Sequence, residues 1–282
     1  MSLLRVGGNI DALNSIRYLT EINRDLAVRQ SRLSSGKRIN TAQDDTSGYA
    51  IARSLESRRG GLESALSNVQ NAKSILAIAE GGYQNQMDIL QTIKSKAVQA
   101  SDEALNTTQR TAIDGQVDEL IMELDDISDQ TKWNAASLIN GGTATFSFHV
   151  GADTNEELLV TMNTSTSASL SINAIAGSAA GATGLLAGVN AADDVIATVD
   201  SAIDSLASFI QSVGDTMVRL GKKQDFLSVS VANTDAVRST YEDADFAVEQ
   251  MESLKLQILQ QTAVSSLAQA NSAPQVVLGL FR

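Results

Sequence analysis

From Ile10 the apolar residues Leu13, Ile16, Leu19, Ile22, Leu26 and Leu33 return at spacings of three, four or seven. That rhythm follows one face of an α-helix and predicts an amphipathic helix of roughly 25 residues. The helix should stop at "SSGKRIN", with Gly36 as the left-handed residue beyond its end and Lys37 and Arg38 suited to its negative pole. Further on, Leu62, Val69, Leu76, Tyr83, Leu90 and Ala97 lie seven apart without a miss. Ala65, Ala72, Ala79, Ile93 and Ala100 make a companion row, broken once at Gln86. Large residues facing small ones in heptads predict a coiled-coil seam. Ile113, Val117, Leu120, Leu124 and Ile127 make a second seam. Ile196, Val199, Ile203, Leu206, Ile210, Val213, Met217, Leu220, Leu227 and Val231 make a third, missing one beat at Gln224.

Helix lengths suggest the pairing. At 1.5 Å per residue, 62–100 spans roughly 58 Å and 196–231 roughly 54 Å, while 10–34 and 244–271 span roughly 37 and 42 Å. Inner helices match each other, and so do the outer ones. The pattern predicts a mainly α fold: a long antiparallel coiled-coil or helical-bundle rod with the N- and C-terminal helices paired. Between the helices, "TATFSFHV" and "EELLVTM" alternate well enough to predict a short β-hairpin region. "IAGSAAGATGLLAGVN" reads as a flexible connection. The pairs Gly60-Gly61 and Gly81-Gly82 predict bends or interruptions, because each Gly costs about 1 kcal/mol inside a helix.

Composition narrows the function. The chain has 282 residues and a formal charge of −12, with one His and no Cys. Disulfides, zinc sites and Ser-His or Cys-His nucleophilic centres therefore have almost no material, and His149 reads as a half-exposed structural residue. "SSGKR" fails as a phosphate loop, since Ser31 stands where the first Gly should be and Arg38 follows the Lys. "NTAQDDTSG" fails as a calcium loop for want of the D-x-[DN]-x-[DN]-G spacing. Asp44 and Asp45 are more simply N-cap acids for a helix starting near Thr46. Asp125-Asp126 and Asp193-Asp194 read as solvated faces. No enzymatic function and no cofactor or metal is expected.

Residues 1–60 carry ten Lys/Arg against six Asp/Glu, the rest 11 against 27. A basic arm on an acidic body admits nucleic acid, but stacking aromatics and a dense cationic cluster are missing. Charge matching between copies of the same chain fits at least as well. No 18-residue apolar run predicts membrane insertion, and "MSLLRVGGNIDALNS" lacks the apolar core and cleavage pattern of a cleaved signal peptide.

The end of the chain is unusual. From Leu256 to Phe281 it holds no Asp, Glu, Lys or Arg. Met251, Leu254 and Ile258 line one face of a helix there; Leu256, Leu259, Ala263 and Leu267 line another, and amides fill the remainder. A helix apolar on two faces needs two covers. The N-terminal helix can supply one and other chains the second, since uncharged amides allow close approach without desolvating ions. Leu13, Ile16, Leu19, Ile22, Leu26, Met251, Leu254, Ile258, Leu259 and Leu267 are thus the expected polymerisation interface. Pro274 is expected to end the last helix.

These residues also carry a resemblance. "RLSSGKRINTAQDDTSGYAIA" (Arg32 to Ala52), "ALNSIRYL", "DADFAVE" and "ILQQTAVSSLAQANSAPQVVLGL" resemble the signature blocks of bacterial flagellins, in the same order and at the expected ends. The resemblance covers about four fifths of the chain. It departs from the usual pattern at Thr46, Tyr49, Trp133 and Tyr241. It implies a structural subunit that polymerises with itself into the flagellar filament for swimming motility. Alternatives are a hook–filament junction protein or a soluble coiled-coil adaptor. The resemblance further implies that 1–43 and 241–282 are the halves of an inner-tube helical domain. Residues 44–190 would then be the first part of a rod domain with a β-hairpin and a short variable loop, and 191–240 its C-terminal helix. Arg38, Asn40, Asp44 and Asp45 fall in the signature loop between these domains. Implied partners are a flagellar export chaperone at the C-terminal helix and the filament cap and hook-junction proteins, with no nucleic acid and no membrane. The implied location is the extracellular flagellum, reached through the flagellar type III apparatus without a cleaved signal peptide. Flagellins sensed by a vertebrate Toll-like receptor share a stretch resembling "LQTIKSKAVQ", where Thr92 here replaces an Arg, Lys96 a Leu, and Gln116 on the next helix a Glu. The hydroxyl-rich "TMNTSTSASLS" is expected at the outer surface, open to O-linked glycan.

Overall fold

A computed structural model describes residues 9–141, 144–175 and 189–280. In chain order these form α1 (Ile10–Ser35), α2 (Thr46–Ala100), α3 (Thr107–Gln130), β1 (Lys132–Trp133) and β2 (Ala136–Ser137). The strands β3 (Ala144–His149) and β4 (Glu157–Met162), a 3-10 turn (Ile172–Ala174), α4 (Val189–Glu242) and α5 (Phe246–Leu280) follow. Contacts divide the chain into two compact units, 1–59 with 232–282, and 60–231.

In the unit 60–231, the heptad rows become the core. Val69, Ala72, Leu76, Ala79, Tyr83, Leu90, Ile93 and Ala97 of α2 are fully buried. They join Ile113, Val117, Ile121 and Leu124 of α3 and Val199, Leu206, Val213, Leu220 and Leu227 of α4 in one apolar cluster. The run of α2 against α4 is antiparallel. Lys94 meets Asp200 at 2.5 Å, the rings of Tyr83 and Phe209 lie 5.9 Å apart, and Lys73 donates to Gln224 at 3.1 Å. Gln224 thus leaves the apolar row because a lysine needs its oxygen.

The glycine pairs do not interrupt α2, which is continuous. One member of each pair admits a neighbour instead. A Cβ on Gly61 would sit 3.1 Å from Ala152, and one on Gly82 would sit 2.8 Å from Thr131 Oγ1. Gly60 and Gly81 face open space. Close approach of packed segments outweighs the propensity penalty.

The hairpin forms as the alternation predicts, antiparallel from Ala144↔Met162 to His149↔Glu157. Val160 and Met162 point into the core, Phe146 and Phe148 stack at 6.2 Å, and Asn68 Nδ2 donates to the His149 carbonyl at 3.2 Å. His149 itself is exposed. The run after β4 differs from its expected place at the surface. Tyr83 Oη donates to the Asn163 carbonyl at 2.6 Å. Gln86, the broken beat of the companion row, donates to the carbonyls of Leu124 at 3.1 Å and Ser165 at 3.0 Å. Asp125 accepts from the amide and hydroxyl of Ser167 at 2.7 and 2.6 Å, so it is not a solvated acid. Ser165 and Ser167 are buried and closed to glycan, whereas Thr161, Ser169 and Ser171 stay exposed. Buried backbone needs hydrogen-bond partners, and these side chains supply them. The expected flexible connection lies at 175–190, of which 176–188 falls outside the described residues.

In the other unit, α1 and α5 pair. Helix α5 continues through Pro274 to Leu280, against the expected stop. A proline deletes one helical hydrogen bond and crowds one carbonyl, yet the helix runs on past it.

Candidate assembly surface and junction loop

Asn9 starts α1, its side-chain oxygen accepting from the Ala12 amide at 3.0 Å. Gly36 ends it in the left-handed conformation (φ 71°), its N–H bonded to the Arg32 carbonyl. The shielded face of α1 is Ala12, Ser15, Leu19, Ile22, Leu26, Arg29 and Leu33, and that of α5 is Glu249, Ser253, Leu256, Gln260, Ala263, Leu267 and Ala270. Both rows alternate three- and four-residue steps, the spacing of a coiled-coil seam. The pairing is antiparallel. Asn9 Nδ2 donates to the Ala270 carbonyl at 2.6 Å, Gln260 Nε2 to Asn23 Oδ1 at 2.6 Å, and Arg29 to Glu249 at 2.8 Å.

The expected interface residues therefore separate into two groups. Leu19, Ile22, Leu26 and Leu267 lie in the seam, half-buried within the chain. Leu13, Ile16, Met251, Leu254, Ile258 and Leu259 are exposed, with Met251 at 63% and Ile258 at 64%. Leu259, which shares a sequence stripe with Leu256, is exposed while Leu256 lies in the seam. Val264 is exposed beside them, as Ile10 and Tyr18 are on α1.

The junction loop follows α1. Its backbone zips onto the end of α4: Arg38 N–H donates to the Glu242 carbonyl at 2.7 Å, and Ala244 N–H to the Gly36 carbonyl at 3.0 Å. Lys37 and Arg38 do not serve the end of α1. Lys37 Nζ meets the Glu242 carboxylate at 2.6 Å, and the Arg38 guanidinium donates to the Tyr241 carbonyl at 2.8 Å. The negative pole they neutralise belongs to α4. Asp45 alone caps α2, accepting from the amides of Ser47 and Gly48 at 3.1 and 2.9 Å. Asp44 closes the turn before it, accepting from the amides of Asn40 and Thr41 at 3.1 and 2.9 Å. The Thr41 N–H, foremost among several hydrogen bonds, holds the Asp44 carboxyl below its ordinary range. Gly48 is required here, since a Cβ would fall 2.5 Å from the Asp45 carboxylate and 2.7 Å from Ile39. Tyr49 receives Arg53 over its ring at 5.0 Å.

Two buried carboxylates give no local signal in the sequence. Glu242 and Glu249 are buried, each held by two cations: Lys37 and Arg238, and Arg29 and Arg32. Glu249 occupies a seam position, and its misplaced charge becomes a signal only once the seam is known. The receptor-type positions Thr92 and Gln116 are exposed and Lys96 half-buried. The Thr92 hydroxyl is turned back onto the Asp88 carbonyl at 3.0 Å. Among the described residues no cluster of His, Cys, Asp or Glu could hold a metal ion, and no helix is long and apolar enough to cross a membrane.

The paired helices leave apolar side chains of both exposed, and comparisons with known proteins follow the chain from end to end. Residues 6–144 match the bacterial flagellin N-terminal helical region and 196–281 the C-terminal helical region. The chain is 30% identical to the flagellar filament 33 kDa core protein of Treponema phagedenis, over 98% of this chain and 99% of that one. It is 31% identical to the flagellin of Listeria innocua, over 99% of each. Among solved structures, a putative flagellar hook-associated protein from Vibrio parahaemolyticus aligns over 71% of this chain and all of its own, with a TM-score of 0.58. At 11% identity that likeness concerns the fold alone. Matches at both ends and relatives spanning nearly the whole length favour a filament subunit over a junction protein or adaptor. The chain belongs to the bacterial flagellins, the structural subunits that polymerise into the flagellar filament.

Proposed function

We propose that α1 and α5 form the inner tube of the filament and that the exposed apolar face they carry is the contact between subunits. The observation behind this reading is the helix surface Met251, Leu254, Ile258, Leu259 and Val264, exposed and lacking any charge beyond Lys255. Burying such side chains stabilises by about 1.5–3 kcal/mol each, and among the described residues none covers them. Leu13 and Ile16 extend the contact on α1, while Leu19, Ile22, Leu26 and Leu267 hold the pair together. On this reading residues 1–43 and 241–282 are the inner-tube domain and 44–190 with 191–240 the rod domain, although contacts group 44–59 and 232–240 with the terminal pair. Arg38, Asn40, Asp44 and Asp45 belong to the loop between the two. The chain acts structurally, with no catalytic step.

The same face needs protection before assembly. We infer a flagellar export chaperone on α5, export through the flagellar type III apparatus, and contacts with cap and hook-junction proteins at the filament ends. Deleting 256–282 is the direct test. The truncated chain should keep the helicity of the unit 60–231 and form no filaments after salt seeding. Tubes from the truncated chain would overturn the assignment.

A further inference from the structure

Asparagine followed by glycine occurs once in the chain, at Asn140-Gly141. The pair lies just beyond β2, where the backbone is held on one side and open on the other. Leu138 and Ile139 are buried. The Ile139 carbonyl accepts from the Ser165 N–H at 3.0 Å and from the Ser128 hydroxyl at 3.2 Å. One residue further the chain emerges, with Asn140 half-buried and Gly141 exposed. Asn140 Nδ2 donates to the Asp129 carboxylate in the last turn of α3.

Gly141 leaves its own nitrogen accessible to the neighbouring amide. It holds φ 129°, in the region that favours glycine, and a Cβ there would meet nothing within 4 Å. Neither a side chain of its own nor a packed neighbour shields the Gly141 nitrogen. Among the described residues no acceptor takes its N–H. Asn134 supplies the contrast. It is exposed in the turn between β1 and β2, yet Ala135 follows it and sets a Cβ beside the nitrogen.

We propose that Asn140-Gly141 is a site of spontaneous covalent modification, where the asparagine deamidates with water as the only co-reactant. The Gly141 nitrogen gives its proton to water and bonds to Asn140 Cγ, closing a five-membered imide. The Cγ–Nδ2 bond breaks, and Nδ2 leaves as ammonia with a proton from solvent. Water then opens the ring. Cleavage at Cγ leaves an aspartyl residue, and cleavage at the backbone carbonyl leaves an isoaspartyl link with the main chain rerouted through Cγ. The net change exchanges NH for O. The aspartyl product sets a second carboxylate against Asp129, where the amide had donated, and like charges in contact repel. That repulsion falls next to the Ile139 carbonyl, so it loosens the hold on Ser165 and the run after β4.

The test ages the full-length monomer for days in warm buffer, beside a sample unfolded in urea. Peptide mass spectrometry should find the NH-for-O exchange at Asn140 in both samples, as separable aspartyl and isoaspartyl peptides, while Asn134 keeps its amide. Gly141→Ala should suppress the exchange in both. Exchange in the unfolded sample alone would overturn the proposal, because the fold would then be guarding the amide. Exchange at Asn134 as fast as at Asn140 would sink it equally. The consequence has its own measurement. Asn140→Asp should lower the urea midpoint of the monomer, and adding Asp129→Asn should return it. A midpoint unmoved by Asn140→Asp rules out the repulsion.

Discussion

Arg29 and Glu249, 220 residues apart in sequence, meet across the α1–α5 pair with one guanidinium nitrogen 3.0 and 2.8 Å from the two carboxylate oxygens. The Glu249 side chain is 6% exposed, and Arg32 approaches the same carboxylate at 3.4 Å. A carboxylate this shielded is tolerable only with its cations in place. The contact fixes the register of the two helices at the end where the chain turns.

Glu249→Ala should therefore loosen the terminal pair more than an exposed ion pair would suggest. Removing one partner of a buried pair leaves the other charges shielded and unmatched, at about 3–5 kcal/mol, less here because Arg29 is 30% exposed. Filaments of the variant should depolymerise at lower temperature than the parent, in a heating series followed by sedimentation. Equal thermal stability would refute a clamping role.

A second expectation concerns the tight turn between β1 and β2. Asn134 and Ala135 both have positive φ, 47° and 66°. Such turns favour Asn-Gly, because a side chain in the left-handed region costs roughly 1–2 kcal/mol. Ala135→Gly should stabilise the unit 60–231 by up to about 1 kcal/mol after the entropic cost of glycine. Urea unfolding of the monomer would detect it as a higher midpoint with an unchanged slope.

Tyr83 gives a pH signature. Burial raises its phenol to about 12, well above the ordinary tyrosine range, and its hydroxyl remains bonded to the Asn163 carbonyl. The raised value means that the folded state keeps the proton longer. Its contribution is fully present below pH ~10 and is lost as pH rises toward ~12, about 3 kcal/mol in all. Tyr83→Phe removes that pH-dependent loss but also deletes a buried hydrogen bond, so it should be less stable at pH 8. The difference between the two proteins should shrink through the alkaline range. A difference that stays constant would show that Tyr83 does not titrate as described.

Receptor sensing supplies the last expectation. Thr92 cannot offer the planar fork of donors that an Arg provides, and Lys96 brings a charge where the resembling stretch has a Leu. Losing such anchors costs about 2 kcal/mol or more apiece. The monomer should signal weakly through the Toll-like receptor, and Thr92→Arg with Lys96→Leu together should restore signalling in reporter cells. Full potency of the unsubstituted chain would dismiss the idea.

The amino-acid pattern by itself determined the helices, their antiparallel partners and the family. Heptad rows such as Leu62 to Ala97 are local and periodic, so they are legible without coordinates, and so is Gly36 as a helix stop. It also marked the tail as a surface, because an uncharged helix apolar on two faces has few other uses. What it could not decide was which apolar residue faces which neighbour. Leu256 and Leu259 look alike in the chain, yet one packs on α1 and the other is exposed, a choice set by the seam register that Glu249 and Arg29 lock. The burial of Ser165 and Ser167 was equally hidden, since it depends on the Gln86 amide of α2, the Ile139 carbonyl and the Asp125 carboxylate of α3. Gly61 and Gly82 read as weak points until the packed neighbours they admit were in view. Side chains that answer to local periodicity were read correctly, and those that answer to a long-range partner needed the tertiary structure.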